Sequence, residues 1–247
     1  MRLVAVFALI LGWLPGVAMA AVAACPISPP GPRLDLPHVR DVVNKGGPLV
    51  AVAIGSSSTE GSQASSPMHA YPAVLGEALA SALPGVRVEV LNKGVGGQDA
   101  VEMMARFERD VLATRPSLVI WQVGANGALR GTDPAEFARV VGDGVARLQA
   151  AGMDVVLMDN QRAPQIQGKP MRAEIERALA VQARLRGVGL FSRGALMDAW
   201  EQAGHPNGEF LAADGLHHND HGYACVAEAL AAAVLADVAP RHRQARP

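Results

Sequence analysis

Short apolar runs alternate with segments of helical periodicity along most of this 247-residue chain, and this alternation constrains the fold more than any other feature. Strands are predicted for five short runs: 49–54, 86–91, 117–123, 155–158 and 188–191. Helices are predicted around and between them: 37–44, 70–83, 100–114, 133–151, 171–186, 194–202 and 220–236. Strands that alternate with helices form parallel βαβ units. We therefore expect an α/β fold, a three-layer α/β/α sandwich around a parallel sheet of about five strands.

The size of the chain suits a single globular domain, and its charge argues against a nucleic-acid-binding protein. The length suits one domain of ordinary size, and the 50% hydrophobic residues are enough to bury a full core. The formal net charge is −1, and the one basic cluster is the short C-terminal run Arg241–Arg246. A nucleic-acid-binding surface is therefore not expected, and the basic run is interpreted as a solvated tail.

The first twenty residues have the three parts of a secretory signal peptide. Arg2 supplies the positive charge, Leu3–Leu14 is a twelve-residue apolar run, and Ala18–Ala20 is a small-x-small cleavage site. The run is short for a membrane-spanning helix, so an uncleaved anchor is the less favoured alternative. We expect cleavage after Ala20 and an exported protein, periplasmic or secreted, without a transmembrane segment once the signal is removed.

The remainder of the chain divides into three predicted parts. Residues 21–48 form a proline-rich lead-in with a short helix starting near Pro37, residues 49–237 form the domain, and residues 238–247 form the basic tail. Prolines near a helix start and clusters of prolines before it are typical of an extended segment that leads into a fold.

The two cysteines, Cys25 and Cys225, leave three alternatives open. In an oxidising compartment they can form a disulfide bond, which is the favoured interpretation. Val22–Cys25 also resembles the lipobox of bacterial lipoproteins, so a lipid anchor at Cys25 is a second interpretation, and free thiols are a third.

Three polar, glycine-rich segments directly follow predicted strands: 55–61, 92–99 and 124–127. Because ligands bind at the carboxyl ends of parallel strands, all three should lie on one edge of the sheet. The second segment reads G-x-G-G rather than G-x-G-x-x-G, so it does not match a dinucleotide-binding fingerprint. The edge instead offers serine hydroxyls, backbone donors and the side-chain amide of Asn126.

A second group of chemically active residues lies near the C-terminus. Asp214 and His217 are three residues apart, a spacing that allows a base and its orienting carboxylate within one loop. The same stretch carries further ligand-type side chains, so a metal site is the alternative; its candidate ligands are Asp214, His217, His218, Asp220 and His221.

Four of these segments together resemble the sequence blocks of the SGNH (GDSL-type) hydrolase family. That family carries G-D-S-[LI] after the first strand, a glycine block after the second, G-x-N-D after the third and D-x-x-H near the end. In the same order, this chain has Gly55–Thr59, Asn92-x-Gly94-x-x-Gly97, Gly124–Gly127 and Asp214-x-x-His217. The resemblance covers residues 49 to about 236 and implies the flavodoxin-like SGNH hydrolase fold.

The resemblance implies a role for each matching residue. Ser57 is expected to be the nucleophile, His217 its general base and Asp214 the group that orients His217. The expected oxyanion hole consists of the backbone N–H groups of Ser57 and Gly97 and the side-chain amide of Asn126. An enzyme of this kind hydrolyses carboxylic esters through an acyl-enzyme and needs no cofactor or metal.

The sequence leaves the substrate undecided and departs from the family at two positions. Ser56 and Gly127 stand where the family has aspartates, which puts the hydrogen-bond support around the site in question. Expected substrates are small-molecule, lipid or glycan esters or thioesters. Few aromatic residues lie in the predicted loops, Tyr71 and Tyr223 being the main ones, and this disfavours a broad sugar-stacking surface. The alternatives are a non-catalytic ligand-binding domain of the same fold and a metal-binding protein.

Overall fold

The structure is a computed structural model, and it describes residues 24–28 and 33–238. The predicted signal peptide at 1–20 and nearly all of the predicted tail at 238–247 lie outside the described residues.

A parallel five-stranded sheet forms the centre of the fold, as predicted. Its strands are Leu49–Gly55 (β1), Val88–Gly94 (β2), Leu118–Gln122 (β3), Asp154–Met158 (β4) and Gly189–Phe191 (β5). They lie in the order β2-β1-β3-β4-β5, and every neighbouring pair is parallel. The chain passes from β1 to β2 on one side and then crosses over β1 to β3 on the other side. The strand order therefore reverses at β1 and β3, and the crevice for a ligand is expected above the ends of these strands.

Eleven α-helices surround the sheet in the described part of the chain. They are Pro37–Asn44 (α1), Ser57–Glu60 (α2), Tyr71–Ala82 (α3), Ala100–Ala105 (α4), Phe107–Asp110 (α5), Ala125–Arg130 (α6), Pro134–Ala150 (α7), Pro164–Gln167 (α8), Arg172–Arg186 (α9), Arg193–Gln202 (α10) and Asp220–Val238 (α11). The short helices α2, α6 and α8 were not predicted, because each begins where a strand end or loop carries polar or glycine residues without apolar periodicity.

Alternation of side chains along the strands produces two separate apolar cores, one on each face of the sheet. Ala51 and Ile120 belong to the core that packs against α1, α3, α10 and α11. Their neighbours Val52 and Trp121 belong to the opposite core, which packs against α4, α5, α7 and α9. Two helical layers on one sheet make the predicted three-layer α/β/α sandwich.

The last helix, α11, is long and largely apolar. By length and composition α11 could cross a membrane, but 61% of its apolar 18-residue stretch is buried inside the structure, as in the core helix of a globular domain. Cys225 on α11 forms a disulfide bond with Cys25, so the predicted pairing is confirmed. A lipid anchor on Cys25 would need the same sulfur atom and does not agree with this bond.

Two predicted elements differ from the structure. The strand predicted at 86–91 begins at Val88 and continues to Gly94, because it stays paired with β1 as far as Gly55. The helix predicted at 100–114 is interrupted at Arg106, whose buried guanidinium donates hydrogen bonds to the Gly55 carbonyl and to the side chains of Gln98 and Asp110. Apolar periodicity alone does not reveal these long-range bonds, so the prediction of one continuous helix is wrong.

Candidate active site

The serine segment leaves β1 through a tight turn and enters α2 at once. Ser56 has an extended backbone, and Ser57 is the first residue of α2. Gly55 is required here because a side chain would collide with the Thr59 hydroxyl group. Gly61 then ends the helix with φ of 100°, a left-handed conformation that glycine adopts without strain. The turn presents Ser57 at the carboxyl edge of the sheet.

Gln122 supports this turn from the end of β3. Its side-chain oxygen accepts hydrogen bonds from the Ser56 backbone N–H at 2.9 Å and the Ser56 hydroxyl at 3.0 Å. It also accepts one from the Thr59 hydroxyl at 3.2 Å. Gln122 and Thr59 are fully buried, and Ser56 is 2% exposed. The support that an aspartate would supply at position 56 therefore comes in this chain from a buried amide on the neighbouring strand.

The loop before α11 is folded by Asp214. The Asp214 carboxylate accepts hydrogen bonds from the backbone N–H groups of Leu216 and His217 at 2.9 and 3.0 Å. Gly215, between Asp214 and Leu216, has φ of 63°, and the His217 carbonyl accepts a hydrogen bond from the Ala212 N–H at 2.8 Å. The carboxylate thus holds the loop in the shape that presents His217.

His217 joins this loop to the serine turn. Its Nε2 lies 2.8 Å from the Ser57 hydroxyl oxygen, and its Nδ1 lies 2.6 Å from an Asp214 carboxylate oxygen. Because a carboxylate only accepts, Nδ1 carries the proton towards Asp214 and Nε2 is left to accept from Ser57. The structure therefore brings together the three residues predicted from the sequence, in the order needed for a base-activated hydroxyl group.

The pKa of the Asp214 carboxyl group favours the ionised form, which gives the His217 ring a negatively charged partner. Partial burial alone would raise the pKa of Asp214, but hydrogen bonds from the His217 ring and from the backbone of His217 and Leu216 hold that pKa below its usual value. A carboxylate of this kind stabilises the positive charge that forms on the imidazole when it takes a proton.

The glycine segment after β2 lies directly against the serine turn. A side chain at Gly94 would collide with the backbone of Glu60, so this approach is open to glycine alone. The Val95 N–H donates to the Gly55 carbonyl at 3.0 Å, and Arg130 donates to the Gly97 carbonyl at 2.6 Å. The segment is therefore fixed from both sides.

Asn126 stands in α6 at the end of β3, next to the same segment. Its side-chain amide donates one hydrogen bond to the Gln98 carbonyl at 2.8 Å, and a primary amide has a second N–H. Within the described residues, the backbone N–H groups of Ser57 and Gly97 make no hydrogen bond. The three predicted oxyanion donors thus lie on segments that meet at one edge of the sheet and have donor capacity to spare.

The five candidate metal ligands near the C-terminus do not converge. His218 is buried and contacts the Phe210 carbonyl, Asp220 accepts hydrogen bonds from Ser65, and His221 lies 3.7 Å from the Cys225 sulfur atom. Of the five, only Asp214 and His217 are joined by a side-chain hydrogen bond in the described chain, and that bond belongs to the serine site. The metal interpretation is therefore not supported by the arrangement.

A second set of serine, histidine and aspartate side chains lies at the surface. The Ser65 hydroxyl donates to the Asp220 carboxylate at 2.5 Å, and His69 Nδ1 lies 2.6 Å from the same hydroxyl oxygen. Because the serine proton is directed to the carboxylate instead of a free imidazole nitrogen, this set lacks the arrangement found at Ser57. These hydrogen bonds connect the segment after α2 to the start of α11, and the set can be compared with the Ser57 site.

Sequence reasoning missed several polar residues around the site. Gln122 ends an otherwise apolar strand, and Gln161 follows β4; both are almost fully buried. Arg106 lies between α4 and α5 and donates to the Gly55 carbonyl, and Arg130, the last residue of α6, donates to the Gly97 carbonyl. A glutamine within a run of buried strand residues was the one local signal available, and its partner could not be inferred from it.

The site and fold have relatives among known proteins. A sequence model of the Non-GDSL lipase-like family matches residues 23–240. The chain is 25% identical over 173 residues to Esterase TesA of Pseudomonas aeruginosa, which covers 69% of this chain and 76% of that protein.

Solved structures agree on the fold. A two-domain esterase active on acetylated mannans superposes with a TM-score of 0.72 at 23% identity over 83% of this chain, which spans 55% of that protein's length. The acetylxylan esterase Axe2 of Geobacillus stearothermophilus superposes with a TM-score of 0.62 at 20% identity, covering 77% of this chain and 94% of the other.

Proposed function

Because the chain belongs to the Non-GDSL lipase-like family and is an ester hydrolase of the SGNH type, we propose that it cleaves carboxylic esters through an acyl-enzyme on Ser57. One observation carries this proposal: His217 lies within hydrogen-bond distance of both the Ser57 hydroxyl at 2.8 Å and the Asp214 carboxylate at 2.6 Å. A hydroxyl group with an oriented imidazole beside it is the arrangement that serine acyl transfer requires.

The first half-reaction forms the acyl-enzyme. Ser57 Oγ attacks the ester carbonyl carbon while its proton passes to His217 Nε2. The tetrahedral intermediate collapses, its bond to the alcohol oxygen breaks, and His217 returns the proton to the leaving alcohol. Asp214 stabilises the imidazolium while the proton resides on the ring.

The second half-reaction releases the acid. A water molecule gives one proton to His217 Nε2 as its oxygen attacks the acyl carbon, and the proton returns to Ser57 Oγ when the ester bond to the enzyme breaks. In both halves the negative oxygen is expected to be held by the N–H groups of Ser57 and Gly97 and by the Asn126 amide. Donors that are held in place before the reaction stabilise the transition state without reorganisation. The glycine segment after β2 is held by hydrogen bonds on both sides, which supports the Gly97 N–H as one of these donors.

The substrate class proposed is a small-molecule, lipid or glycan ester. The relatives include an esterase whose name specifies no substrate, an esterase active on acetylated mannans and an acetylxylan esterase. Acetylated glycans should therefore be among the first substrates tested. Export is part of the proposal: the N-terminal sequence and the Cys25–Cys225 disulfide bond both favour an oxidising compartment.

A covalent probe tests the proposal. Purified protein is treated with a fluorophosphonate, and the adduct is mapped by peptide mass analysis; ester turnover is measured on aryl esters of graded acyl length and on acetylated glycans. We expect one adduct, on Ser57. Ser57→Ala and His217→Ala should each abolish labelling and lower kcat/KM by about 10⁴-fold or more, and the double variant should be no worse, since these residues act as a unit.

Ser65→Ala is the matched control, because Ser65 also contacts a histidine and an aspartate. It should label and turn over like the parent protein. An adduct on Ser56, Ser58 or Ser65 would overturn the assignment of Ser57. Activity that a chelator removes would favour a metal-dependent reaction, and ligand binding with neither labelling nor turnover would favour a binding domain.

A further inference from the structure

A buried polar layer lies behind the serine site at the end of β4. Asp159, Asn160 and Gln161 are 6%, 1% and 1% exposed, and the ester-cleaving steps use none of them. Buried polar side chains are costly unless their hydrogen bonds are satisfied, so the partners of these residues indicate what they hold in place.

Gln161 contacts both halves of the site through a single amide nitrogen. Its Nε2 donates to the Leu216 carbonyl at 2.8 Å, and Leu216 directly precedes His217. The same nitrogen donates to the Ser58 hydroxyl oxygen at 3.3 Å, and Ser58 directly follows Ser57. The two N–H groups of the amide therefore connect the loop of the base with the turn of the nucleophile.

Arg193 fixes which way this amide faces. Its Nη2 donates to Gln161 Oε1 at 2.9 Å. A guanidinium has no acceptor, so the amide oxygen must face Arg193 and the amide nitrogen must face Leu216 and Ser58. If the amide were flipped, its nitrogen would face the Arg193 guanidinium donor and its oxygen would face the Leu216 carbonyl oxygen.

Arg193 is itself held rigidly. Its side chain is fully buried, and its Nε donates to the Asp159 carbonyl at 2.8 Å. The adjacent helix start is fixed by Asp159, whose carboxylate accepts from the Ser192 hydroxyl at 2.5 Å and the Gly194 N–H at 3.1 Å. The hydrogen bonds of Gln161 thus rest on the end of β4 and the start of α10, two elements of the rigid scaffold.

We propose that Gln161 is a positioning residue that sets the spacing between Ser57 and His217, with its amide oriented by Arg193; this rests on the proposed acyl-enzyme function. The hydrogen bonds made by Asp214 shape the loop from within, whereas Gln161 connects that loop to the nucleophile turn and to β4. Small displacements of reacting groups, on the order of 1 Å, can lower a rate by about 10²-fold. Gln161 is therefore expected to act on kcat without touching the substrate.

Two variants remove the donors while keeping the volume of the side chain. Gln161→Glu keeps an oxygen that accepts from Arg193 and loses both N–H groups, and the nearby guanidinium favours a buried carboxylate at this position. Gln161→Met keeps the shape without any hydrogen bond. Gln149→Glu is the matched control, since Gln149 also donates to a carbonyl, that of Arg186, at an exposed position on α7.

The experiment measures the fluorophosphonate labelling rate per folded molecule, kcat, KM and thermal stability for all three variants. We expect Gln161→Glu and Gln161→Met to lower kcat and the labelling rate by about 10- to 100-fold with KM within about threefold, and Gln149→Glu to match the parent protein. A residue that only stabilised the fold would lower the amount of folded protein and leave the rate per folded molecule unchanged.

The outcomes separate this proposal from the one on which it rests. If the parent protein labels on Ser57 and both Gln161 variants label at the parent rate per folded molecule, the positioning role is wrong and the acyl-enzyme stands. If activity falls only in proportion to the loss of folded protein in both variants, the positioning role is also wrong. If the parent protein does not label at all, both proposals are overturned.

Discussion

The side-chain oxygen of Gln122 accepts hydrogen bonds from both the backbone N–H and the hydroxyl group of Ser56, at 2.9 and 3.0 Å. Ser56 occupies the position of the aspartate in the SGNH serine block. The neighbouring strand therefore supplies an acceptor that holds the turn carrying Ser57, and the chain keeps the turn without a carboxylate at that position.

Gln122→Leu should destabilise the protein and slow labelling of Ser57. The change leaves the Ser56 N–H, the Ser56 hydroxyl and the Thr59 hydroxyl without their shared acceptor in a buried site. Unsatisfied buried donors cost about 1–3 kcal/mol each, and with partial relaxation we expect a loss of about 3 kcal/mol in the free energy of unfolding. Urea denaturation measures it, with the exposed Gln149→Leu as control; an unchanged midpoint would contradict the role of Gln122.

Asn126→Ala should lower kcat by about 10²-fold and change KM little, because an oxyanion donor acts mainly in the transition state. The Asn126 amide also donates to the Gln98 carbonyl, so circular dichroism is needed to show that the variant is folded. Asn207→Ala, which removes an exposed amide that donates to Glu201, is the control and should behave like the parent protein. Parent-like kcat in folded Asn126→Ala would remove Asn126 from the site.

His218 should make the protein sensitive to acid. Burial lowers the pKa of His218 to about 3, with repulsion from the nearby Arg193 and His217 adding to the effect. The unfolded chain takes up a proton at this residue below its ordinary pKa near 6.5, whereas the folded protein does not until far lower pH. This contribution to stability is therefore complete above about pH 6.5 and is lost as the pH falls towards 3.

The variant His218→Asn isolates this effect, since its amide can still donate to the Phe210 carbonyl. Between pH 7 and pH 4.5, the parent protein should lose about 2–3 kcal/mol more of its free energy of unfolding than the variant does. Urea denaturation at the two pH values measures the difference. Buried Asp159, whose pKa burial raises to about 6, titrates in both proteins and cancels from the comparison. Equal losses in parent and variant would show that His218 does not carry the acid sensitivity.

The Cys25–Cys225 disulfide bond should stabilise the fold without affecting the site. It links residues 200 positions apart, and a loop of that size gives an upper value of about 5 kcal/mol in the chain-entropy model, with about 2–4 kcal/mol typical of measured bonds. Cys25→Ser should lower the free energy of unfolding by that typical amount and leave the labelling rate of Ser57 unchanged. Finding two alkylatable thiols in non-reduced protein from an exported preparation would contradict the bond.

Cleavage after Ala20 is the prediction on localisation. Arg2, the apolar run Leu3–Leu14 and the Ala18–Ala20 site all favour removal of a signal peptide during export. The intact mass of protein recovered from the periplasm or medium should correspond to a chain that starts at Ala21. A mass that includes Met1–Ala20 would contradict cleavage, and a mass increase on Cys25 matching acyl chains would favour the lipoprotein alternative.

Several features of this protein could be read from local patterns. Alternating apolar runs predicted the parallel sheet and most of its helices, because burial of a strand or helix face depends on residues close together in sequence. The helix predicted at 133–151 corresponds to α7, at whose start the Asp133 carboxylate accepts from the N–H groups of Ala135 and Glu136. The candidates Ser57, Asp214 and His217 were identified because two sequence blocks carry them, one at the end of β1 and one in the loop before α11.

Arg106 and Gln161 make long-range hydrogen bonds that no local sequence pattern predicts. Arg106 interrupts a helix that apolar spacing predicted as continuous, because its guanidinium is satisfied by the carbonyl of Gly55, 51 residues away. Gln161 follows a strand like many polar residues, yet its partners Ser58 and Leu216 lie 103 and 55 residues away. Nothing in the neighbouring sequence distinguishes such a side chain from one that faces water.

The sequence by itself determined which segments form strands and helices, which edge of the sheet carries polar groups, and which serine, histidine and aspartate are the candidates for chemistry. The tertiary structure decided what holds those groups at working distance: Gln122 on the serine turn, Arg130 on the glycine segment, and Gln161 between the two halves of the site. The physical reason is that hydrophobic periodicity is a local property, whereas the hydrogen-bond partner of a buried polar group is set only when distant segments pack together.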